Sequence, residues 1–164
     1  MYNCYSKSID TPIGWIIISA SYKGITYIHL LQEGIKYNKK IKVPKDKTVL
    51  QHINAAKFQL SEYFYGNRMS FDLPLDIKGT PFQQKVWQAL LKIPYAHTTS
   101  YKDIAKKIGS PNAYRAVGQA CGANPIPIII PCHRVLSSDG SIGGYSAGID
   151  IKKWLLLFEF SNIK

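Results

Sequence analysis

The chain has 164 residues, of which 46% are hydrophobic and 19% charged, so it can bury a core and is too apolar for a disordered protein. Its formal net charge of +11 favours a polyanionic partner, nucleic acid ahead of an anionic membrane surface. The chain lacks an apolar run near the roughly 20 residues of a spanning helix and a secretory layout at its start, so a cytoplasmic protein, or a nuclear one in a eukaryote, is expected.

The cysteines are few and dispersed. Cys4, Cys121 and Cys132 are odd in number and irregularly spaced, which favours reduced thiols over a disulfide framework. Neither a CxxC nor an HxxxH pair is present in the sequence, so a zinc site is poorly supported.

The start of the chain predicts three antiparallel strands. Its β-rich runs are "YNCYSKSI", "WIIISAS" and "ITYIHLL", and turn residues separate them at 10–14 and 22–24. Short β-branched and aromatic runs with Pro and Gly between them are typical of hairpins.

A basic segment, a helix and a further strand are predicted next. The segment from Lys36 to Lys47 predicts a solvated loop that could also contact phosphates. Apolar residues at near-helical spacing between Thr48 and Tyr65 predict a helix packed on the sheet, with Gly66 as its C-cap. A strand is expected over 69–75, and the first domain is expected to end at residue 77.

The second predicted domain, residues 78–164, begins with a well-marked helix. Thr80 is a favourable N-cap and Pro81 suits the first helical position of "TPFQQKVWQALLKI". Its apolar residues form one stripe, and Pro94 is expected to stop the helix.

Two shorter helices follow in the predicted pattern. Ser100 is expected to cap "SYKDIAKKI", and Gly109 is expected to end it. A second helix is expected to start at Ser110-Pro111 and run through "NAYRAVGQACG". Two short helices around a glycine turn suggest a helix-turn-helix.

Prolines then dominate the chain around the third cysteine. Pro125, Pro127 and Pro131 exclude a helix and predict a rigid extended arm that ends at Cys132. After a Gly- and Ser-rich loop, Asp150 is expected to cap a last helix, "IKKWLLLFEF".

The stretch "IPCHRV" carries the residues for nucleophilic chemistry. A thiolate is the reactive form of cysteine, an imidazole can take the thiol proton, and a carboxylate can orient that imidazole. Cys132, His133 and Glu159 supply these three types. A Cys-His pair alone is more often inert, with the thiol simply packed in a core, so the pattern by itself leaves both readings open.

A wider match favours the reactive reading. The stretch "RAVGQACGANPIPIIIPCHRV", from Arg115 to Val135, closely resembles the signature of the O6-alkylguanine-DNA alkyltransferases. The resemblance extends back through "TTSYKDIA" and "GTPFQQKVWQALLKIP" and on through "GGYSAG" to "KKWLLLFE". It covers nearly all of the second predicted domain. The first seventy or so residues resemble the family only in their predicted sheet-and-helix organisation, since this subdomain varies in the family.

The resemblance implies an α/β (α+β) fold and a single-turnover repair reaction. The fold would have an N-terminal antiparallel sheet with a helix, followed by a mainly helical domain with a helix-turn-helix. Cys132 would accept the alkyl group from O6 of guanine and keep it, with no diffusible cofactor. His133 would act as base through a water, Glu159 would orient it, and Tyr101 would protonate the leaving guanine. We also expect a lowered pKa for Cys132.

Further roles follow from the same resemblance. Arg115 would be a finger that fills the space of the flipped nucleotide, because O6 is out of reach inside the duplex. The residues expected at the DNA surface are Ser100, Arg115, Ala116, Gly118, Ala120 and Gly122, and the helix that carries the last five is expected to lie in the minor groove. The residues expected at the hinge and around the flipped base are Asn124, Pro127, Val135, Tyr145 and Ser146.

The expected partner is double-stranded DNA that contains O6-alkylguanine, and O4-alkylthymine is left open as a second lesion. No membrane partner is expected; the protein is expected to be a monomer, with cooperative binding along DNA left open. Ala147 departs from the usual family residues and leaves the pocket width open, while Tyr114, larger than the usual residue before the finger, leaves the contacts beside the lesion open. Zinc ligands of some relatives are largely missing, so no metal is predicted.

Two other classes compete with this reading. A lesion-binding module of the alkyltransferase-like kind flips damaged bases without repairing them, but it replaces the nucleophile that Cys132 retains. A cysteine hydrolase would need an oxyanion hole and a peptide cleft, and the sequence indicates neither.

Overall fold

The computed structural model describes residues 5–31 and 44–163, with side chains from residue 9 onward. Cys4 and residues 36–43 of the predicted basic loop therefore lie outside the described residues. The chain divides into two compact units, residues 1–78 and 79–164. Within the described ranges, no helix is both long and apolar enough to cross a membrane.

The first unit is built on the predicted antiparallel sheet. Its strands are β1 (Tyr5–Thr11), β2 (Gly14–Ser21) and β3 (Gly24–Leu31), in the order β1-β2-β3. Five successive positions of β2, residues 16–20, are buried. Because alternate side chains of a strand point to opposite faces, this central strand is covered on both faces.

Helix α1 (Lys47–Phe64) packs on this sheet as predicted. The side chain of Asp46, which the sequence reading missed, accepts a hydrogen bond from Val49 N and caps the helix. Gly66 follows the C-terminal end in the left-handed region, with φ of 75°, which a glycine adopts without strain.

The strand expected over residues 69–75 does not form. Only Leu75 makes a single parallel bridge, to Ile25, where Ile25 N donates to Pro74 O at 2.8 Å and Asp76 N donates to Ile25 O at 2.8 Å. Pro74 has no N–H to continue a ladder. The chain passes so near Gly24 that a Cβ there would lie 2.3 Å from Pro74 O.

The second unit is mainly helical. It contains α2 (Pro81–Leu90), α3 (Tyr101–Lys107), α4 (Tyr114–Gly122) and α5 (Ile149–Ser161). Two short parallel strands, β4 (Thr99–Ser100) and β5 (Val135–Leu136), pair between the helices. The predicted α/β (α+β) class is confirmed, and the helix-turn-helix over α3 and α4 stays a prediction.

Local capping signals place α2 and α3. Thr80 and Gln83 form a reciprocal capping box with Pro81 inside the first turn, and Ser100 Oγ accepts from Asp103 N. Helix α2 ends at Leu90, before Pro94. Trp87 Nε1 donates to Ala120 O at 2.9 Å and joins α2 to α4.

Three sequence-based expectations in this unit are wrong. Helix α4 begins at Tyr114, because Ala113 N bonds to Ser110 O at 2.9 Å and residues 110–113 form a turn. Asp150 lies inside the first turn of α5, while Gly148, with φ of 103°, holds the cap position. The proline-rich arm ends in a 3-10 turn, Cys132–Arg134, and not in fully extended chain.

Candidate active site

Cys132 opens the 3-10 turn that follows the proline-rich arm. The residue is 3% exposed, and its Sγ accepts a hydrogen bond from Asn124 Nδ2 at 3.1 Å. The thiol is therefore almost fully buried and is held in place by a side chain that follows α4.

Asn124 braces the turn between α4 and the arm. Its Nδ2 also donates to Ile130 O at 2.8 Å, and its Oδ1 accepts from Ile126 N at 2.9 Å. The side chain thus ties the end of α4 to both sides of the loop that delivers Cys132. This geometry fits the hinge predicted for Asn124, and it adds a contact with the thiol that the sequence did not reveal.

The two residues after Cys132, His133 and Arg134, form a buried charged network with Glu159. His133 Nε2 lies 2.7 Å from Glu159 Oε1, while Arg134 Nε and Nη2 donate to Oε2 and Oε1 of the same carboxylate, each at 2.9 Å. The N–H of Ala96 adds a further donor to Glu159 Oε2 at 3.0 Å. The sequence predicted the His133–Glu159 pair and missed Arg134.

The network fixes the protonation of its members. Burial raises the pKa of Glu159, but hydrogen bonds from His133 and Arg134, together with the charge of Arg134, outweigh it and lower the value to about 2. Burial lowers the pKa of His133 despite the opposing effect of Glu159. His133 is therefore neutral beside an ionised Glu159, and Nε2 is the nitrogen that donates, because a carboxylate only accepts.

The other ring nitrogen of His133 is the one left for chemistry. Its Nδ1 is buried and has no hydrogen-bond partner among the described residues. In the tautomer that donates through Nε2, Nδ1 is an acceptor. It can take up a proton, directly or through a bridging water.

Lys152 is a buried cation that the sequence did not predict. Its Nζ donates to Val135 O at 2.7 Å and to Gly144 O at 3.2 Å, and it lies 5.8 Å from the centre of the Tyr101 ring. Burial lowers the pKa of Lys152, whereas the charges of Cys132 and Cys121 raise it. On sequence alone, Lys152 is one half of an ordinary basic pair at the start of a helix.

Burial raises the pKa of the Cys132 thiol above its ordinary value, although the Asn124 hydrogen bond and the nearby Lys152 lower it. The expectation of a lowered pKa was wrong because it counted cations and helix ends and not the loss of solvent. Cys132 therefore needs a base to become a thiolate near neutral pH.

A cleft of about 480 Å³ opens beside Cys132. Of the predicted residues it brings together Cys132, Tyr101, Arg115, Gly118, Gly122, Tyr145 and Ser146. Cys121, Gln119, Ser137, Gly143 and Gly144 also line it. Burial and the charges of Cys121 and Cys132 raise the pKa of Tyr101 to about 12, so this hydroxyl keeps its proton at neutral pH.

Several predicted residues lie elsewhere. Ala120 is 2% exposed and packs in the interior, because the spacing 116, 118, 120, 122 cannot follow one face of a helix. Pro127 and Val135 are buried and are not among the residues that line the cleft. Ala116 is half-buried, and Ser100 caps α3.

The chain matches known proteins over nearly its whole length. Residues 81–160 match the family model "6-O-methylguanine DNA methyltransferase, DNA binding domain", and residues 4–77 match "6-O-methylguanine DNA methyltransferase, ribonuclease-like domain". A Methanosarcina barkeri protein named "Methylated-DNA--protein-cysteine methyltransferase" is 47% identical over 161 residues, 98% of this chain and 99% of the relative.

Further relatives agree with that match. The Bacillus subtilis "Methylated-DNA--protein-cysteine methyltransferase, constitutive" is 45% identical over 98% of each chain. The crystal structure of Mycobacterium tuberculosis OGT in complex with DNA superposes with a TM-score of 0.84 at 40% identity, covering 96% of this chain and 94% of that one. This chain therefore belongs to the methylated-DNA--protein-cysteine methyltransferase family, which confirms the resemblance seen in its sequence.

Proposed function

We propose that the protein repairs DNA by moving a methyl or small alkyl group from O6 of guanine in a duplex to Sγ of Cys132, once per molecule. The observation that carries this proposal is that Cys132 lines the cleft while His133, the next residue of the same 3-10 turn, is paired with Glu159. The proposal is supported by the methyltransferase names of the relatives and by the complex of the M. tuberculosis protein with DNA.

The reacting atoms can be followed in order. His133 takes the thiol proton through a bridging water, because its Nδ1 is a buried acceptor. The thiolate then forms an S–C bond with the alkyl carbon while the C–O6 bond breaks, and the electron pair moves into the guanine ring. Tyr101, whose high pKa keeps it protonated, donates a proton to that ring and lowers the cost of the leaving group.

Glu159 is a positioning residue in this scheme. Its carboxylate holds Nε2 of His133 and, by staying ionised, stabilises the imidazolium that forms when the ring accepts the proton. Arg134 fixes the carboxylate through two hydrogen bonds. The pair is therefore held in one orientation before DNA binds.

The exposed face of α4 is the proposed contact with the DNA minor groove, in a helix-turn-helix with α3. Arg115 is exposed beside the cleft, and its guanidinium lies 5.9 Å from the centre of the exposed Tyr114 ring. We assign Arg115 to the space left by the flipped guanine. Gly118 and Gly122 line the cleft on the same helix and let DNA approach closely.

Tyr145 and Ser146 are the proposed contacts of the flipped base. The Tyr145 hydroxyl is buried and has no hydrogen-bond partner among the described residues. Burial raises its pKa well above the ordinary value, so it can donate to a base edge. A cytoplasmic location, a monomeric state, and the O6-alkylguanine lesion, with O4-alkylthymine as a possible second substrate, stay predictions.

The deciding experiment is intact-protein mass spectrometry after incubation with a duplex carrying one O6-methylguanine, followed by peptide mapping. We expect a single methyl group on Cys132, no second turnover, and no mass change in Cys132→Ser. Tight binding to the lesion duplex without a mass change in the wild type would replace this proposal with the lesion-binding module.

A further inference from the structure

The cleft contains a second thiol that alkyl transfer does not use. Cys121 lies in the last turn of α4, is 6% exposed, and lines the same cleft as Cys132. Both thiols are free. A cleft of about 480 Å³ has room for small oxidants such as hydroperoxides, so both sulfurs can be reached from one side.

Asn124 links the backbone of one cysteine to the sulfur of the other. Asn124 N donates to Cys121 O at 3.2 Å, while Asn124 Nδ2 donates to Cys132 Sγ at 3.1 Å. One residue therefore spans the distance between the end of α4 and the nucleophile. Burial, together with the charge of Cys132, raises the pKa of Cys121 to about 12.

Lys152 and Tyr101 complete the surroundings of the two sulfurs. The pKa values of Lys152 and of Tyr101 both respond to the charges of Cys121 and Cys132. Both thiols and the Tyr101 hydroxyl-bearing ring line the cleft, and the buried Lys152 lies beside that ring.

We propose that Cys121 and Cys132 form a reversible disulfide when a hydroperoxide reaches the cleft. The Cys132 thiolate attacks the peroxide, so that an S–O bond forms, the O–O bond breaks and the leaving oxygen departs as water or alcohol after taking a proton. The Cys121 sulfur then attacks the Cys132 sulfenic acid; an S–S bond forms, and the S–O bond breaks with loss of water that carries the Cys121 proton.

The disulfide would protect Cys132, which reacts with only one alkyl group, from irreversible oxidation. Oxidation of a sulfenic acid beyond this stage is irreversible, whereas a disulfide is returned to two thiols by a dithiol reductant. Cys121 thereby keeps oxidised protein recoverable. Disulfide formation requires only the two thiols and a peroxide, so it is independent of alkyl transfer.

The test uses the full chain with Cys4→Ser, which leaves only these two thiols. Protein is treated with increasing equivalents of hydrogen peroxide, free thiols are blocked with iodoacetamide, and tryptic peptides are mapped. Both cysteines lie between Arg115 and Arg134 without an intervening Lys or Arg, so one tryptic peptide contains them both. The disulfide form of this peptide is two hydrogens lighter and carries no iodoacetamide adduct on either sulfur. We expect this peptide, and its reversal by dithiothreitol.

Two comparisons make the result decisive. With Cys121→Ser added, we expect peroxide to carry Cys132 to the sulfinic and sulfonic acids, which dithiothreitol does not reverse. Protein that has first reacted with an O6-methylguanine duplex should form no disulfide, and failure of this block alone would count against alkyl transfer and not against the disulfide. Two results in protein that retains Cys121 would overturn the proposal. One is oxidation of Cys132 to its oxygen acids while Cys121 stays a free thiol that iodoacetamide alkylates, and the other is disulfides that form only between molecules.

Discussion

The two units of the chain bury different kinds of side chain. In the described part of the first unit the buried polar residue is Ser19, and the core consists of sheet and helix residues such as Ile16, Ile53 and Leu60. The second unit buries a full set of charged and polar side chains around the cleft: Asn124, His133, Arg134, Lys152 and Glu159. Buried charge is costly unless it is paired. Disrupting the network of the second unit should therefore lower both the free energy of unfolding and the rate of alkyl transfer.

The largest difference is expected when one carboxylate is neutralised in each unit. Glu159→Gln removes the partner of the buried Arg134 and His133, and breaking a buried pair in this way costs about 3–5 kcal/mol. The NH2 group of the new side chain is itself a donor, so it cannot accept the hydrogen bonds that Arg134, His133 and Ala96 N donate to the carboxylate. Urea unfolding measures the loss of the free energy of unfolding.

Glu62→Gln is the matched control in the first unit. Glu62 pairs with Arg68 at 2.7 Å, but their side chains are 30% and 26% exposed. A half-exposed pair contributes at most about 1 kcal/mol. Equal losses in the two variants would show that the buried network of the second unit stabilises the fold no more than a surface ion pair.

Acid should act on the second unit through the same network. Glu159 has a pKa of about 2 in the folded chain against an ordinary value of 4.5. Because its folded pKa is lowered, its ionised form stabilises the folded chain above pH 4.5, and this stabilisation is lost as pH falls toward 2. The lowered pKa of His133 adds an earlier loss that begins below its ordinary value of 6.5, since only the unfolded ring takes up a proton there.

Urea unfolding from pH 8 to pH 3 tests this order. The first decline should start near pH 6.5 and the steeper one below pH 4.5. Glu159→Gln should lack the second decline. A wild-type stability that is flat down to pH 3 would contradict the assigned protonation of the network.

What the sequence could predict follows the same division. The sheet, α1 and the start of α2 depend on alternation, periodicity and caps such as Thr80 and Pro81, all of which are local signals. Cys132, His133 and Glu159 were found because adjacent residues and a family resemblance point to them. These signals do not depend on knowing which elements pack together.

Long-range contacts explain what the sequence left out. Lys152 looks like a surface lysine until Val135 O and Gly144 O, 17 and 8 residues earlier in the chain, are brought to its Nζ. Arg134 likewise becomes a partner of Glu159 only in the folded chain. Ala120 was assigned to DNA because small residues suit both close approach and close packing, and composition alone does not separate the two.

An exposed cation of the second unit should affect function without affecting stability. Arg115→Ala is expected to slow repair of duplex DNA by about tenfold to a hundredfold, because extruding a base costs a few kcal/mol. Transfer from a free O6-alkylguanine base should be nearly unchanged, since nothing is extruded. Single-turnover rates on both substrates provide the measurement.

Lys102→Ala is a suitable comparison for Arg115. The Lys102 ammonium is exposed and lies 5.7 Å from the centre of the same Tyr114 ring. Its loss should weaken duplex binding in a salt-dependent way and leave the rate at saturating DNA intact. Equal slowing of duplex and free-base transfer by Arg115→Ala would reject the finger role.

The smallest effect, and the most specific, is expected for the buried cation. Lys152 lowers the pKa of Cys132 against the larger effect of burial. Replacement by Met keeps the chain length and removes the charge, so the pKa of the thiol should rise further. Each unit of rise reduces the thiolate about tenfold near neutral pH. We therefore expect alkylation of Cys132 to slow at pH 7 and its pH profile to move to higher pH.

The pH profile separates an electrostatic role from a packing role. Lys152→Met also leaves two carbonyls without their donor, so some stability will be lost in either case. Packing damage lowers the rate equally at every pH, whereas loss of the charge slows the reaction at neutral pH and spares it once the thiol is fully ionised. The neighbouring Lys153 is exposed on the same helix, and Lys153→Met should change neither. A profile for Lys152→Met that is lowered but not displaced would show that this lysine serves only to hold the β5 end and the Gly144 loop in place.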